Sequence, residues 1–268
     1  MRLSDKIVVV TGAGSGMGRS LVLGLLKRGA KVAGWDLNAQ TLDETALLAG
    51  APESFVTFQV NVTDRVAVGT AFENTIRRFG AVDGVINCAG VIQPFVPLQQ
   101  LDDAAIDRVF AVNWFGTLHV TRAAIPLLLK RPEAHLVNIS SMGGFVPVPG
   151  QTIYCASKAA VKLLTEGLHA ELADTHVRVT VVHPGAVATN IMNNSGIAMD
   201  PGAAAQAAKI LQPDDAARQI LDGMERNAFR VLVGSDAKFL DLIYRLNPRR
   251  AAGFIAKQIR AHLSPENK

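Results

Sequence analysis

Tyr154 and Lys158 stand four positions apart and have side chains that together suit proton transfer at a hydroxyl or carbonyl group. In a helix this spacing places both side chains on one face. A phenol with an ordinary pKa near 10 is a poor base at neutral pH, but a nearby ammonium is expected to lower the pKa of Tyr154 by about 1–3 units. Ser141 precedes the pair at the carboxyl end of a predicted strand, where parallel sheets bind ligands. These residues form a candidate catalytic group.

A glycine-rich segment, residues 11–18, follows the first apolar run and opens the first predicted helix. Glycines let backbone N–H groups approach a pyrophosphate, and a helix N-terminus favours its negative charge. The spacing is not GxGxxG, because Met17 and Arg19 occupy the required glycine positions, and it is not a P-loop. The alternative is a tight turn without a ligand, but four glycines in seven residues exceed what a turn needs.

Asp36 ends the second apolar run and is the candidate partner of an adenosine ribose. A carboxylate there can accept hydrogen bonds from the ribose hydroxyls and would repel a 2′-phosphate. Neither Leu37 nor Ser15 supplies a cation for such a phosphate. The alternative is a solvated aspartate at a strand end, which the preceding glycine loop makes the weaker interpretation.

The elements that would position these residues alternate between short β-branched runs and longer helical patterns. Such alternation predicts an α/β fold with a doubly wound, mostly seven-stranded parallel sheet and helices on both faces. Strands are predicted at 7–10, 31–35, 55–60, 82–86, 135–139, 177–182 and 230–233. Helices are predicted near 17–28, 39–49, 64–79, 103–129, 151–173, 213–226, 236–246 and 249–263.

Six motifs in order make the sequence resemble the short-chain dehydrogenase/reductase family, over residues 5 to about 234. They are the glycine segment 11–18, Asn87-Cys88-Ala89-Gly90, Asn113, Ser141, Tyr154 with Lys158, and Pro184-Gly185 followed by Thr189. The resemblance implies a single Rossmann domain at 1–234, with a substrate loop at 190–212. Residues 235–268 are then expected to form a helical extension of the same domain.

The resemblance also implies a role for each catalytic residue. Tyr154 would accept a proton from an alcohol or donate one to a carbonyl, and Ser141 would hydrogen-bond the substrate oxygen. Lys158 would bind the nicotinamide ribose and tune Tyr154, and Asn113 would hold a water that relays the proton. The implied cofactor is NAD, because Asp36 opposes NADP. The expected cofactor-binding residues are Gly12, Ser15, Gly16, Met17, Gly18, Asp36, Leu37, Asn61, Val62, Asn87, Ala89, Gly90, Tyr154, Lys158, Pro184, Gly185, Val187 and Thr189.

Two positions depart from the family pattern. Cys88 replaces the second asparagine of its motif, which is a small change because cysteine is compact and readily buried. Asn61 stands where many members place an aspartate against the adenine ring, and we expect its amide oxygen to act as the acceptor instead.

Three segments are expected to wall the substrate side: 91–98, 142–150 and 190–212. They have few charges and no arginine fork, which disfavours carboxylate or phosphate substrates. We predict a neutral hydrophobic secondary alcohol or ketone, including steroid-like or terpenoid compounds. The predicted contacts are Ser141, Tyr154, Phe95, Phe145 and Ile191. The alternatives are an NADP-dependent carbonyl or acyl-thioester ketoreductase and a non-catalytic nucleotide-sensing protein.

Composition excludes other classes of function. The 268 residues include 27 basic and 23 acidic side chains, a scattered excess that does not indicate nucleic acid binding. The two cysteines and six histidines show no metal-ligand spacing, and no signal peptide or membrane-spanning run is predicted. We expect a cytoplasmic protein in a reducing compartment, with no metal.

The expected partners are the small hydrophobic substrate and further copies of the chain. The long helices 103–129 and 151–173 are predicted to pair into a homodimer or homotetramer. The tail carries the basic residues Arg245, Arg249, Arg250, Lys257 and Arg260. A solvated helix face is the favoured account of these residues, and contact with a membrane surface is the alternative.

Overall fold

The computed structural model describes residues 1–197 and 210–263, with side chains described as far as Lys257. It confirms the predicted fold class, a parallel sheet with helices on both faces. Seven strands run in the order β3-β2-β1-β4-β5-β6-β7. The strands are β1 Ile7–Thr11, β2 Lys31–Asp36, β3 Phe55–Gln59, β4 Gly84–Asn87, β5 Ala134–Ile139, β6 Val177–Pro184 and β7 Arg230–Val233.

Helices follow most strands and return the chain to the start of the next strand. In the described residues they are α1 Gly16–Lys27, α2 Ala39–Ala49, α3 Arg65–Phe79, α4 Asp103–Val109, α5 Thr117–Leu128, α6 Thr152–Glu171, α7 Ile191–Asn194, α8 Pro213–Glu225, α9 Ser235–Leu246 and α10 Pro248–Leu263. A π-helical segment, Phe110–Gly116, joins α4 to α5. The helical stretch predicted at 103–129 is therefore present, but its middle turns are wider than those of an α-helix.

The core lies on both faces of the sheet, because successive side chains of a strand point in opposite directions. Val8 and Val10 pack with α1 and α8 on one face. Val9, between them, packs with α3, α5 and α6 on the other face. Burial on both sides explains why the strands are continuous valine and isoleucine runs rather than alternating patterns.

Strand order reverses between β1 and β4, and this reversal fixes where a ligand can enter. The chain runs outward from β1 through β2 to β3, and in the opposite direction from β4 to β7. The helices on the two sides diverge at this point and leave a crevice at the carboxyl ends of the strands. The segment after β1 and the segment after β4 both lie there.

The tail adds a third, smaller hydrophobic cluster beside the sheet. Leu240 of α9 and Ile255 of α10 are buried together with Val146, which follows β5. The tail helices thus share apolar surface with the loop that carries Ser141. Within the part of the chain that the structure describes, none of the helices has both the length and the apolar character needed to cross a bilayer.

Candidate active site

A cleft of about 380 Å³ lies at the crevice between β1 and β4. It is lined by the glycine segment, the end of β2, the residues after β3 and the residues after β4. The predicted cofactor residues in its lining are Gly12, Ser15, Gly16, Met17, Gly18, Asp36, Leu37, Asn61, Val62, Ala89, Gly90 and Thr189. Most of the cofactor residues predicted from the sequence therefore meet in one cavity.

The glycine segment needs glycine for reasons of backbone shape. Gly12 and Gly16 have φ angles of 72° and 50°, in the left-handed region that side chains disfavour. A Cβ atom on Gly12 would also lie 3.0 Å from the backbone of Ala89. A Cβ atom on Gly18 would overlap the carbonyl oxygen of Gly12. The chain therefore turns tightly here and presents bare backbone to the cleft.

Asp36 is fixed in this cleft by two backbone donors. Its carboxylate oxygens accept the N–H groups of Gly14, at 2.9 Å, and Asn38, at 3.0 Å. Among the described residues that line the cleft, Asp36 is the one with a charged side chain. Arg19 lies close by, but its guanidinium donates to the carbonyl oxygen of Gly14 and to the carboxylate of Glu44. The end of the cleft at Asp36 therefore has negative character.

Asn61 is placed as predicted, but its amide oxygen is already engaged. That oxygen accepts both the N–H group and the hydroxyl of Thr63, at 3.0 and 2.9 Å. A carbonyl oxygen has two lone pairs, so the side-chain NH2 is the group left to face a ligand. The expectation that Asn61 acts as an acceptor is wrong for this arrangement.

The catalytic candidates lie against one another at the carboxyl end of β5. The ammonium of Lys158 is buried, donates to the carbonyl oxygen of Ile139 at 3.0 Å, and lies 5.9 Å from the centre of the Tyr154 ring. The Ser141 hydroxyl accepts the N–H group of Gly143 at 3.0 Å. A Cβ atom on Gly90 would lie 3.2 Å from the Lys158 ammonium, so the cleft and the catalytic pair are adjacent.

Burial shifts both pKa values of the pair toward the neutral forms. Burial raises the pKa of Tyr154 to about 12, and the hydrogen bond from Ser141 only partly opposes this. Burial likewise lowers the pKa of Lys158 to about 8. The prediction that Tyr154 has a lowered pKa is wrong for the cofactor-free chain, because removal of the phenol from water is the largest cause of its shift.

Asn113 lies in the π-helical segment and is fully buried. Its amide oxygen accepts the N–H group of Val91, and its NH2 group donates to the carbonyl of Val91 and the hydroxyl of Ser157. The Asn113 side chain therefore links the segment that follows β4 to helix α6. In a π-helical turn the backbone hydrogen bonds span five residues instead of four, and such turns are frequent at functional sites.

Gln93 was missed by the sequence analysis. Its buried amide oxygen accepts the N–H groups of Ile153 and Tyr154, at 2.8 and 3.0 Å, in the first turn of α6. Its NH2 group donates to the carbonyl of Gly150. The available signal was the absence of Ser, Thr, Asp or Asn directly before α6, where Gln151 stands. Sequence alone could not reveal which distant residue caps the helix.

Part of the predicted substrate loop, 190–212, lies over the cleft. The amide of Asn194 donates to the Ser15 hydroxyl at 2.9 Å, and the Ser195 hydroxyl accepts the N–H group of Ile92. Ile191, predicted as a substrate contact, lines the nucleotide cleft. Residues 198–209 of this loop lie outside the described residues.

Phe145 does not line this cleft, although it was predicted to touch substrate. Its ring packs edge-on against His183 at 5.2 Å, faces Tyr244 of α9, and lies under the Arg230 guanidinium. These contacts place the ring beside α9, whose position the sequence did not reveal, and outside the lining of the nucleotide cleft. Phe95, also predicted as a substrate contact, is partly exposed beside Gly150.

Six predicted cofactor residues lie outside the cleft lining: Tyr154 and Lys158, described above, and Asn87, Pro184, Gly185 and Val187. The Asn87 amide is buried and donates to Thr121 and Asn138. Pro184 ends β6, and Val187 pairs with Leu211. Gly185 lies against Asp236 of α9, whose carboxylate accepts the N–H group of Ala186 at 2.7 Å.

No group of three or more potential metal-ligating side chains occurs among the residues that the structure describes. The site instead combines bare backbone, one carboxylate, a half-buried tyrosine and a buried lysine. This combination suits a dinucleotide and proton transfer to or from a substrate oxygen.

Comparison with known proteins agrees with this geometry. The family model described as short chain dehydrogenase matches residues 6–200. A putative oxidoreductase of Mycobacterium tuberculosis, SadH, is 35% identical over 251 residues, which cover 90% of each chain. An uncharacterized oxidoreductase of Staphylococcus aureus is 40% identical over 190 residues, covering 70% of this chain and 81% of that protein.

Solved structures show the same fold with either nicotinamide cofactor. A short-chain dehydrogenase/reductase from Burkholderia phymatum, in complex with NAD, has a TM-score of 0.83 and 25% identity, covering 100% of this chain and 99% of that one. A short-chain dehydrogenase from Burkholderia cenocepacia, in complex with NADP, has a TM-score of 0.80 and 26% identity, covering 99% and 100%. A nicotinamide cofactor is thus supported, whichever of the two it is.

Proposed function

Since this chain belongs to the short-chain dehydrogenase family, we propose that it is an NAD-dependent enzyme that interconverts a neutral hydrophobic secondary alcohol and its ketone. The observation that carries the proposal is half-buried Tyr154 with buried Lys158 beside a cleft. Among the described residues that line this cleft, Asp36 is the one with a charged side chain. The pair supplies the proton chemistry, and the carboxylate favours the cofactor without a 2′-phosphate.

The residues present fit NAD. The backbone turn at Gly12 and Gly16 leaves room for a pyrophosphate, and the start of α1 points N–H groups toward it. Asp36 would accept the adenosine ribose hydroxyls, and Lys158 would bind those of the nicotinamide ribose. NAD, when bound, supplies the hydride acceptor, which no side chain can replace.

Four side chains do the remaining chemistry. Tyr154 accepts the alcohol proton as its phenolate in oxidation and donates a proton from its hydroxyl in reduction. Ser141 hydrogen-bonds the substrate oxygen and stabilises its developing charge. Lys158 favours the phenolate of Tyr154, and Asn113 fixes the surrounding backbone and the water that relays the proton. Burial disfavours charge on both groups, which suits a reaction that passes the proton on without leaving a lasting phenolate.

The substrate class follows from the polarity of the walls. Ile191 and Val91 border the cleft, and Phe95 stands partly exposed on the neighbouring loop. An apolar wall without an arginine fork favours a neutral, hydrophobic alcohol. Residues 1–234 would form the catalytic unit and 235–268 its helical extension, and a cytoplasmic location stays a prediction.

The first experiment measures reduced-cofactor absorbance with NAD or NADP and a panel of hydrophobic alcohols. A 2′-phosphate about 4 Å from the Asp36 carboxylate faces several kcal/mol of repulsion at an effective dielectric near 20. We expect kcat/KM to favour NAD by at least about a hundredfold, since each 1.4 kcal/mol is tenfold. Comparable values would instead support the NADP-dependent carbonyl reductase alternative. No turnover with any panel member would support a nucleotide-sensing protein.

Two variants separate chemistry from binding. Tyr154→Phe keeps the ring but removes the proton acceptor, so turnover should fall by about 10²–10⁴ while NAD affinity is retained. Asp36→Ala with Leu37→Arg removes the repulsion and supplies a guanidinium for the phosphate, so preference should turn to NADP. Tyr154→Phe activity within tenfold of wild type would contradict the assignment.

A further inference from the structure

The tail helices α9 and α10 expose large apolar side chains on a surface that faces away from the core. Phe239, Leu242 and Leu246 of α9 are 53%, 58% and 77% exposed. Their spacing of three and four residues places them on one helix face. Phe254 of α10 joins them, because its ring meets that of Phe239 with centroids 6.1 Å apart. We call these four residues the tail patch.

Cations surround the tail patch. The exposed basic side chains of the described tail are Lys238, Arg245, Arg249, Arg250 and Lys257. Lys238 and Arg245 are seven residues apart on α9, which places them along the same face as Leu242. Arg249 and Arg250 follow directly after the turn between the helices. The apolar patch and the positive charge therefore share one side of the tail.

Acidic side chains of the described tail pair with one of these five cations, Arg245. Between residues 235 and 257 the acidic residues are Asp236 and Asp241. Asp241 is buried and shared by Arg230 and Arg245, and Asp236 is half-buried and accepts the Ala186 N–H group. Both carboxylates are directed into the protein. The solvent-facing side of the described tail is thus basic and apolar.

We propose that the tail patch docks this enzyme onto the surface of a bilayer that contains anionic lipids. Apolar side chains flanked by lysine and arginine suit the boundary between headgroups and acyl chains, where rings enter and cations meet phosphates. The charge complementarity selects an anionic surface. The sequence alone favoured a solvated face, because it could not show that Phe239, Leu242 and Leu246 remain uncovered beside the cations.

Other occupants fit this surface less well. A second copy docked through the same patch would form an isologous interface, in which the five cations face their own equivalents. A nucleic acid would match the charge but leave four large apolar side chains without partners. The lipid surface satisfies both the charge and the apolar patch.

The test is co-sedimentation of the full-length protein with vesicles. One set contains phosphatidylglycerol and phosphatidylcholine in equal parts, and the other contains phosphatidylcholine alone. We expect binding to the first set, weakened by salt, and little binding to the second. No binding to the anionic vesicles, or equal binding to both sets, would overturn the proposal.

Variants assign the binding to the tail patch. Arg249→Gln with Arg250→Gln should weaken binding about fivefold per cation, whereas lysine at both positions should keep it. Lys27→Gln with Lys31→Gln removes the same charge from exposed sites outside the tail and is the matched control. Equal losses in the two glutamine pairs would contradict docking through the tail.

The apolar part is tested with Leu242→Gln and Leu246→Gln, which replace exposed side chains and should leave the fold intact. Binding to anionic vesicles should fall about tenfold per substitution, while turnover in solution stays at the wild-type value. If these variants instead reduce the molar mass in light scattering and leave vesicle binding unchanged, the patch joins two copies and the proposal is wrong. The measurement needs no turnover, so it stands apart from the proposed reaction.

Discussion

At the scale of single residues, the site holds the Lys158 ammonium out of water before any cofactor arrives. Lys158 is 4% exposed, and its described hydrogen bond is to the carbonyl oxygen of Ile139 rather than to a carboxylate. Burial therefore lowers its pKa to about 8. A lysine buried in this way lowers the free energy of unfolding, which is a common consequence of building a reactive site.

The pH dependence of that cost can be measured. The lowered pKa means that protonated Lys158 destabilises the folded chain at all pH values below about 8. This destabilisation disappears as the pH rises from about 8 toward 10.5, the pKa of Lys158 in the unfolded chain. Over that range the unfolded state binds more protons than the folded state, so stability increases with pH. We expect Lys158→Met to raise the free energy of unfolding by roughly 3 kcal/mol near pH 7, with a smaller gain near pH 10.

Urea unfolding of the cofactor-free proteins at the two pH values measures this difference. Lys162→Met, on the same helix but partly exposed and paired with Glu166, is the control. A destabilised Lys158→Met protein near pH 7 would show that the ammonium is better solvated than its burial indicates.

The sequence nominates the candidate site residues, whose roles stay predictions, but it could not give their ionisation. Tyr154, Lys158 and Asp36 were found because their residue types and spacing are distinctive. The pKa of Tyr154 depends on how deeply α6 is packed. Whether the Asn61 amide oxygen can accept a further hydrogen bond depends on its neighbour Thr63. Neither quantity is contained in a local pattern.

At the scale of elements, the first turn of α6 is completed by a residue from another segment. Gln93 accepts the N–H groups of Ile153 and Tyr154. Gln93→Leu leaves both donors buried without their acceptor, which costs about 1–3 kcal/mol. It should also lower kcat more than it raises the KM for NAD, because Tyr154 loses its fixed position.

Thermal unfolding and steady-state kinetics of Gln93→Leu check this prediction. Gln99→Leu, at an exposed position of the same loop, is the control and should change neither quantity. Normal kcat in a destabilised Gln93→Leu protein would assign the residue to stability alone.

The tail helix α9 reaches the predicted nicotinamide end of the site through Asp236. Its carboxylate accepts the Ala186 N–H group, directly after Gly185. Asp236→Ala should therefore loosen the segment 184–187 and raise the KM for NAD severalfold, at a cost of about 1–3 kcal/mol for the unpaired backbone donor. Cofactor titration monitors the change, with Asp215→Ala on α8 as the control. An unchanged affinity for NAD would separate the tail from the cofactor site.

Most element bounds could be predicted because the hydrophobic patterns and glycine positions are strong. The helix predicted at 39–49 and the strand at 230–233 match the structure at both ends. The π-helical segment 110–116 was not predicted, since its residues have the apolar character of an ordinary buried helix. The packing of Phe145 under the tail was missed because contacts across the chain leave no local signal.

At the scale of the whole molecule, α5 and α6 with the π-helical segment expose apolar residues away from the tail patch. Phe115 and Leu163 are 45% and 69% exposed. We predict that these helices pair across a two-fold axis, as a homodimer or homotetramer. Leu163→Arg should place like charges opposite each other and reduce the molar mass to that of a monomer.

Light scattering at micromolar concentration measures the assembly. Leu48→Arg, at an exposed position of α2, is the matched control and should leave the molar mass unchanged. A wild-type monomer at that concentration would contradict the prediction.

The two hydrogen bonds of Asp36 limit how cofactor preference can evolve in this lineage. The carboxylate that would discriminate between the cofactors also holds the backbone of Gly14 and Asn38. A mutation that removes it leaves the part-buried Gly14 N–H without its acceptor, so, under the proposed preference for NAD, the first step toward NADP lowers stability before it offers any selective benefit. A change of preference to NADP is therefore open mainly to descendants that already carry stabilising substitutions elsewhere. The order in which the mutations occur then matters as much as their identity.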